Sequence, residues 1–526
     1  MPHNSKPTAV TIDGRMQPAP PEQAADLVKN SAFSTMAGLL VSLTGLISTL
    51  LIARVLGVEG AGVVAFAVWI AHTGASFADV GMSMCLMRYV PELQARGQEM
   101  LAEPLAAAMF RIVALVLAIS VIALTALSYG LPGSLDGTAW SLVGVLMVVQ
   151  TLSALYIAYL KGRQQFDRTA ALAWKSSLCQ ISVLIVGLAS FGTNVALVAY
   201  VAGALLPFLL SLRLLAAPAY IPADLRRRVL VFASVNWVTT VIGGLIWRRA
   251  EILFLQMFWG FASVGLFSAG LALSSVATLL PALLLGALLP HFSSQIGRER
   301  MDEMHATYAA VTRLMGTLVF PICFGVAAIC PVLVPMLYGA QFAAAIPSAM
   351  ILAVGAAIGI AAATNTNVLF GLERVHILLS ANVLGLLLMI LFGLTVVPRF
   401  GVEGAALTRV VVQGAVVAIE CWYVVHRLGF KSPMGALLKA AIAASLCGAA
   451  AFAIVMFVGG PASLLLAVPT GALIYFGLLR KFRVLEAEDR RLLMNAALRI
   501  PAAVRAPVLF LISIVAPLGE AAARRA

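Results

Sequence analysis

Three ionisable side chains lie close together in the middle of one long apolar stretch. Residues 237–256 have the sequence WVTTVIGGLIWRRAEILFLQ and include Arg248, Arg249 and Glu251. This stretch has the length of a membrane-spanning helix. An arginine or aspartate at the centre of such a helix costs about 2.5–3.5 kcal/mol. We therefore expect these three side chains to face a bundle interior or a hydrated cavity rather than lipid.

The spacing of these three residues predicts different partners for Arg248 and Arg249. Arg248 and Glu251 are three residues apart on one helical face, so they could form an ion pair. Arg249 points about 100° further round the helix, which leaves it available for a ligand anion. The alternative to a functional role for Arg248 and Glu251 is that they form a purely structural ion pair that holds two helices together.

Further candidate charged residues lie in the second and twelfth apolar segments. Asp79 lies near one end of the second segment, where it could titrate or bond to a neighbouring helix. Arg409 and Glu420 lie on one stripe of the twelfth segment. Arg409 is close enough to the end of its segment to extend to the surface, whereas Glu420 is deeper.

The composition is that of an integral membrane protein. The 526 residues are 62% hydrophobic and 11% charged, with a mean hydropathy of +1.01. Soluble proteins contain about 25% charged residues. The sequence therefore predicts an all-α membrane protein, since long continuous apolar runs favour helices over the short alternating strands of a barrel.

Fourteen apolar segments of membrane-spanning length can be recognised. They cover approximately residues 31–53, 62–86, 105–129, 139–160, 171–191, 194–215, 232–257, 263–289, 308–336, 344–371, 374–397, 402–425, 434–458 and 462–479.

Successive connections between these segments differ in charge. The odd-numbered connections are short and glycine-rich, and they contain only two basic residues, Arg54 and Arg399. The even-numbered connections, together with the chain termini as far as Arg483, contain 20 lysines or arginines. Cytoplasmic loops are enriched in these residues, so the pattern predicts cytoplasmic termini and an even number of crossings. It also accounts for the net charge of +13 without a nucleic-acid partner.

Two pairs of glycines recur at one interval. Gly57 precedes Gly260, and Gly62 precedes Gly265, by the same 203 residues. Each pair lies in the connection between the two helices of a hairpin. Transporters are often built from such repeats, so we expect two parallel six-helix lobes with a cavity between them and two additional C-terminal helices.

These observations predict five regions. They are a disordered cytoplasmic tail (1–28), a first six-helix lobe (29–216), a second six-helix lobe (217–430), two further transmembrane helices (431–483) and a cytoplasmic amphipathic tail (484–526).

The sequence contains no enzymatic motif. It has no G-x-x-x-x-G-K-[ST] loop, no H-E-x-x-H and no G-x-S-x-G. The connecting loops are too short to build a catalytic domain, which needs about 50 residues or more. We therefore expect a carrier that is not an enzyme and that uses no cofactor or metal.

Several stretches resemble polysaccharide flippases of the Wzx type, within the multidrug/oligosaccharidyl-lipid/polysaccharide exporter (MOP) superfamily. The similar stretches are LLIARVLGVEGAGVVAFAVWI (50–70), FADVGMSMCLMRYVPEL (77–93), VGLFSAGLAL (264–273), PMLYGAQFAAAIPSAMIL (335–352) and VPRFGVEGAAL (397–407). In the first two, the residues that carry the resemblance are Arg54, Gly57, Gly60, Gly62, Asp79, Gly81 and Arg88.

The resemblance implies a fourteen-helix, alternating-access carrier in a bacterial inner membrane. Its substrate would be an undecaprenyl-diphosphate-linked oligosaccharide, moved from the inner to the outer leaflet and often coupled to an ion gradient. Its partners would be this glycan, membrane lipids, and polysaccharide polymerase and export proteins. Glu251 departs from the family pattern, in which aspartate is common at the end of the seventh helix.

Seven residues are the resulting candidates for function. Substrate binding is predicted for Arg248, Arg249, Arg54 and Arg409, and ion coupling or gating for Glu251, Asp79 and Glu420.

Three alternatives remain at this stage. One is an ion-coupled multidrug or cation antiporter of the same superfamily, which would need an acid-dominated cavity. Another is a flippase for lipid-linked peptidoglycan precursors. The third is a membrane scaffold for an assembly complex that transports nothing.

Overall fold

The computed structural model describes residues 21–130, 135–247, 249–285, 301–372, 374–485 and 489. These residues are overwhelmingly helical, and no strand occurs among them. The prediction of an all-α protein is therefore confirmed. Two short 3₁₀ turns, Glu99–Leu101 and Ala340–Ala345, connect longer helices.

We number the described α-helices in chain order. They are α1 (Pro21–Ala78), α2 (Met82–Ala95), α3 (Ala102–Gly130), α4 (Gly137–Gly162), α5 (Phe166–Ala216), α6 (Ala223–Trp247), α7 (Glu251–Leu285), α8 (Met301–Tyr338), α9 (Ile346–Gly371), α10 (Val375–Thr395), α11 (Val397–His426), α12 (Met434–Val458) and α13 (Ser463–Phe482).

Eleven helical runs in the described part of the chain are long and apolar enough to cross a membrane. The chain is therefore a multi-pass membrane protein. Three of these runs contain 46, 51 and 53 residues, more than twice the roughly 20 that one crossing requires. The three are interrupted by glycines with positive φ, namely Gly57, Gly192 and Gly260. The count of fourteen crossings stays a prediction.

Both ends of the chain extend beyond the described residues. Residues 1–20 of the predicted N-terminal tail lie outside them, and residues 21–28 form the first turns of α1. In the predicted C-terminal tail, only residues 484, 485 and 489 are described.

The helices pack in two groups. Helices α1 to α5 contact one another, and α6 to α13 form a second set of contacts, in which α8, α9 and α11 are central and α6 packs against α10. The most extensive contact between the groups joins α1 to α7. A division into two six-helix lobes at residues 216/217 fits this packing and remains a prediction.

The two groups touch through glycine backbone at one end of the molecule, which we call the hairpin end because Gly57 and Gly260 lie there. A Cβ added to Gly62 would lie 1.8 Å from the carbonyl oxygen of Phe261, and one added to Gly265 would lie 2.0 Å from that of Val58. Val58 and Phe261 are separated by the interval that relates the two glycines. The contact is therefore reciprocal, as a two-fold relation between repeats requires.

The dihedral angles support the same repeat. Gly57 has φ 72° and ψ −169°, and Gly260 has φ 74° and ψ −174°. A second pair follows the pattern, because Gly192 has φ 65° and ψ −141° while Gly401 has φ 54° and ψ −128°. This second pair was not recognised from the sequence.

The groups also touch at the opposite end, which we call the basic end because its connections contain most of the arginines. A Cβ on Gly81 would lie 2.4 Å from the carbonyl oxygen of Ala233. The indole nitrogen of Trp237 donates to the carbonyl oxygen of Phe77 at 3.0 Å. Helix α6 is therefore held against the α1–α2 junction at this end.

A buried ion pair fixes the start of the C-terminal tail. The guanidinium of Arg313 on α8 donates to both carboxylate oxygens of Asp489, at 2.7 and 2.9 Å. The two side chains are 6% and 0% exposed. Val484 and Leu485 are also buried, beside α12 and α13. The chain after α13 is thus anchored on the second group of helices.

Candidate functional site

A break in one membrane-spanning run places a cation at the centre of the molecule. Helix α6 ends at Trp247 and α7 begins at Glu251. Arg249 lies between them with φ 75°, a left-handed conformation that is uncommon for residues other than glycine. A helix broken within a membrane leaves backbone groups that other parts of the protein must satisfy.

Arg409 on α11 satisfies both sides of this break. Its guanidinium donates to Glu251 Oε1 and Oε2 at 3.3 and 3.4 Å, and to the carbonyl oxygen of Trp247 at 3.2 Å. Glu251 is fully buried and the Arg409 side chain is 12% exposed. The described partner of Glu251 is therefore Arg409, 158 residues away. Arg248, the partner suggested by spacing, lies outside the described residues.

A second contact holds the other end of the short helical piece that follows the break. The indole nitrogen of Trp259 donates to the carbonyl oxygen of Val397 at 3.0 Å. Val397 is the first residue of α11. Residues 251–259 are thus bonded to α11 at both ends.

A cavity of about 990 Å³ lies between the two groups of helices. It is lined by α1, α2, α4, α5, α6 and α7, and Arg249 and Asp79 are the two residues of opposite formal charge among its described lining. Tyr200 lines the cavity together with Arg249. The break in α6–α7 thus presents a guanidinium to a partly polar cavity.

The cavity lining can be ordered by distance from the hairpin end. At about 1.5 Å per helical residue, Arg249 lies about 16 Å from Gly260. His72 lies about 22 Å from Gly57, and Asp79 lies about 33 Å from it. The cation is therefore at mid-depth and the carboxylate is near the basic end.

Asp79 lines the cavity where α1 meets α2. Its carboxylate accepts hydrogen bonds from the hydroxyl and the backbone nitrogen of Ser83, the latter at 3.3 Å. Ser83 also lines the cavity. The structure thus brings this predicted residue into the same space as Arg249.

Arg54 lies elsewhere. Its guanidinium donates to the carbonyl oxygen of Leu337 at 2.7 Å and to that of Met336, in the last turn of α8. Arg54 is not among the described residues that line the cavity. A cation at a helix C-terminus is favourable, so Arg54 joins the first group of helices to the second at the hairpin end.

Glu420 also lies away from the cavity. Its side chain is buried between α11 and α9, where it accepts a hydrogen bond of 2.9 Å from the hydroxyl of Thr366. It is not among the described lining residues. Of the seven predicted site residues, Arg249 and Asp79 line the cavity, and Glu251 and Arg409 lie behind the break.

Sequence reasoning missed a polar pair in the cavity. The amide nitrogen of Gln150 on α4 lies 3.1 Å from Nδ1 of His72 on α1. Both residues line the cavity, together with Trp69 and Trp247. A histidine and a glutamine inside apolar segments were the available signal, although nothing in the sequence shows that they meet.

Comparison with known proteins agrees with this architecture. Residues 51–347, more than half of the chain, match the family model described as polysaccharide biosynthesis protein. No curated protein sequence matches the chain significantly.

The fold is similar to those of solved flippase and transporter structures. The lipid II flippase MurJ in an inward closed conformation has a TM-score of 0.67 at 14% identity, covering 85% of this chain and 98% of that chain. An inward-facing multidrug resistance MATE family transporter has a TM-score of 0.61 at 13% identity, covering 76% and 96%. A MOP superfamily transporter from Pyrococcus furiosus has a TM-score of 0.54 at 13% identity, covering 77% and 95%. The chain thus shares its fold with these solved flippase and transporter structures, and it belongs to the polysaccharide biosynthesis protein family.

Proposed function

We propose that this protein flips an undecaprenyl-diphosphate-linked oligosaccharide from the cytoplasmic to the periplasmic leaflet of a bacterial inner membrane. The product would supply exopolysaccharide, capsule or O-antigen assembly, where polymerase and export proteins act on it. The basic end and both termini would face the cytoplasm, in keeping with the distribution of lysine and arginine.

The observation that carries this proposal is the position of Arg249. A diphosphate loses its hydration when it enters the membrane, and an isolated ion pays a large penalty for that loss. A guanidinium offers paired donors with a geometry that suits phosphate oxygens. Arg249 presents such a group to the cavity at mid-depth, where the penalty for the diphosphate is greatest.

The cavity suits a short headgroup. Ligand pockets of about 300–1,000 Å³ hold molecules of drug-like size, and the cavity has a volume of about 990 Å³. That space fits a diphosphate with a small number of sugars. A long polymer would not fit, so transport of a single repeat unit is favoured.

Alternating access would use the contacts at the two ends. The glycine contact between Gly62 and Gly265 closes the hairpin end, and the contact between Gly81 and Ala233 joins the groups at the basic end. Opening one contact while the other stays closed would expose the cavity to one side of the membrane at a time. Asp79, beside the basic-end contact, is the candidate to couple this change to an ion.

The proposal is tested with purified protein in liposomes. A fluorescent undecaprenyl-diphosphate-linked disaccharide is placed in both leaflets, and its movement is followed by quenching from one side. We expect movement with the wild-type protein, loss of about tenfold or more for Arg249→Ala, and partial activity for Arg249→Lys, because lysine keeps the charge but loses the paired donors. Arg427→Ala, at an exposed position on the same protein, is the matched control.

The rival functions predict other results. An antiporter would move cationic dyes and leave the lipid diphosphate in place, which would refute the proposal. The fold is similar to that of a lipid II flippase, so a lipid-linked muramyl-pentapeptide is the third compound to test, after the lipid-linked disaccharide and the cationic dyes. A preference for that lipid would assign the protein to peptidoglycan precursors instead. A scaffold would move none of the three.

A further inference from the structure

The cavity changes character on passing from Arg249 toward the basic end. About 6 Å beyond the level of the cation, by the helical rise, lies the pair formed by His72 and Gln150. The described lining near this level is uncharged and includes the hydroxyls of Ser42 and Thr151. A site for a second anion would need another fixed positive charge here, and no arginine or lysine occurs among these described residues.

The chemistry of this pair suits a ligand that both donates and accepts hydrogen bonds. An amide side chain has two donors and an acceptor, and a neutral imidazole has one of each. The hydroxyl hydrogens of Ser42 and Thr151 are directed to carbonyl oxygens of their own helices, which leaves their oxygens able to accept. Sugar hydroxyl and acetamido groups offer this mixture, whereas phosphate oxygens accept only.

An aromatic surface lies between the two levels. Trp69 precedes His72 by three residues on α1, so both side chains are on one helical face, and both line the cavity. The ring of Trp69 is stacked on Phe66 with centroids 6.1 Å apart, which fixes its orientation. A flat apolar ring beside a few polar groups is the usual composition of a specific ligand pocket.

We propose that Trp69, His72 and Gln150 form a saccharide subsite for the sugar attached directly to the diphosphate. The inference rests on the proposed function, because it places the diphosphate at Arg249. The two levels are separated by a distance comparable with the length of one sugar ring. The subsite therefore selects lipids that carry an uncharged first sugar.

The test compares two lipids in the same liposomes. The probes are undecaprenyl diphosphate and undecaprenyl-diphosphate-linked N-acetylglucosamine, and the readout is the ratio of their flipping rates. We expect His72→Ala and Gln150→Ala each to lower the ratio of sugar-bearing to sugar-free transport about tenfold, because a site built for polar groups discriminates strongly when its hydrogen bonds are lost. Trp69→Phe, which keeps an aromatic ring, should lower the ratio less than Trp69→Ala.

Conservative variants separate recognition from structural support. His72→Gln and Gln150→Asn keep a polar group at each position, and we expect them to retain a larger share of the ratio than the alanine variants. If His72 and Gln150 only clamp α1 to α4, the alanine variants would reduce both rates together and the ratio would stay constant, which would overturn the subsite. An unchanged ratio with unchanged rates would overturn it as well.

Failure of the subsite differs from failure of the proposed function. If the wild-type protein moves neither lipid, the proposed function fails. If it moves both lipids, Arg249→Ala stops both, and the ratio is insensitive to His72 and Gln150, the subsite alone fails.

Discussion

Gly62 and Gly265 face each other across the hairpin end, and each lies against backbone that a Cβ on that glycine would displace. The groups of helices are joined there by backbone surfaces rather than by large side chains. Small residues allow membrane helices to approach closely. This contact therefore requires that neither glycine has a side chain. Adding one methyl group at either position should open the hairpin end.

We predict that Gly62→Ala shifts the protein toward a state that is open at the hairpin end. The added Cβ would lie 1.8 Å from the carbonyl oxygen of Phe261, and overpacking of this kind costs about 1–3 kcal/mol. Even about 1.4 kcal/mol changes a two-state ratio about tenfold. The measurement is labelling of Thr49→Cys, a cavity-lining position, by an impermeant thiol reagent added at the hairpin side, after the six native cysteines are replaced by alanine.

The control for this variant is Gly38→Ala. Gly38 lies on the same helix, and no atom would lie within 4 Å of its added Cβ. Labelling in this control should equal that of the parent protein. Equal labelling in Gly62→Ala would show that the contact does not close the cavity.

Gly81→Ala should have the opposite effect. Gly81 has φ 73°, and its added Cβ would lie 2.4 Å from the carbonyl oxygen of Ala233, so both backbone strain and a clash disfavour the basic-end contact. We expect faster labelling of Thr49→Cys from the basic side and no increase from the hairpin side. An increase from both sides would indicate general loosening of the bundle and contradict the assignment of this contact to one end.

Removing Arg409 should destabilise the protein strongly. The Glu251 carboxylate would remain buried without the guanidinium that now binds it, and breaking a buried pair in this way costs about 3–5 kcal/mol. We expect a clearly lower unfolding temperature in detergent for Arg409→Met. The double variant with Glu251→Leu should recover much of the loss, since no charge is left unpaired. The matched control is Arg399→Ala, exposed on the same helix.

The same double variant separates stability from transport. Arg409 positions Arg249 if its contacts on both sides of the break set the conformation there. In that case the double variant should remain impaired in flipping the lipid-linked disaccharide, even though its stability is restored. Full transport activity in that variant would mean that the pair serves only stability.

Asp489 should contribute more to stability than its place near the end of the described chain suggests. Its carboxylate binds the buried guanidinium of Arg313, so Asp489→Ala leaves a cation in a poorly solvated position and costs about 3–5 kcal/mol. Thermal unfolding measures the loss. Arg483→Ala, an exposed position between α13 and Asp489, is the control, and an equal effect of both variants would contradict the prediction.

The repeat could be predicted from the sequence because glycines recur at the same interval of 203 residues. Glycine is favoured where φ is positive, and Gly57 and Gly260 both adopt such angles. Their shared positions therefore indicated two similar hairpins. The reciprocal contact between Gly62 and Gly265 is the three-dimensional counterpart of that pattern.

The side-chain partners were not accessible in the same way. Spacing along one helix suggested Arg248 for Glu251, but the described partner, Arg409, is distant in sequence and meets Glu251 only because α11 packs beside the break. His72 and Gln150 likewise lie on different helices. Hydropathy predicts which segments cross the membrane, whereas their lateral order decides which polar groups meet.

The short helical segment 251–259 lies between two breaks in the helical backbone. Arg249 and Gly260, at its two sides, have φ of 75° and 74°, while the contacts with α11 fasten it at both ends. The segment is therefore bonded to α11 on both sides of Gly401, although its sequence follows that of α6. An anion bound at Arg249 would therefore lie next to a segment about 13 Å long whose far end is bonded to the first residue of α11.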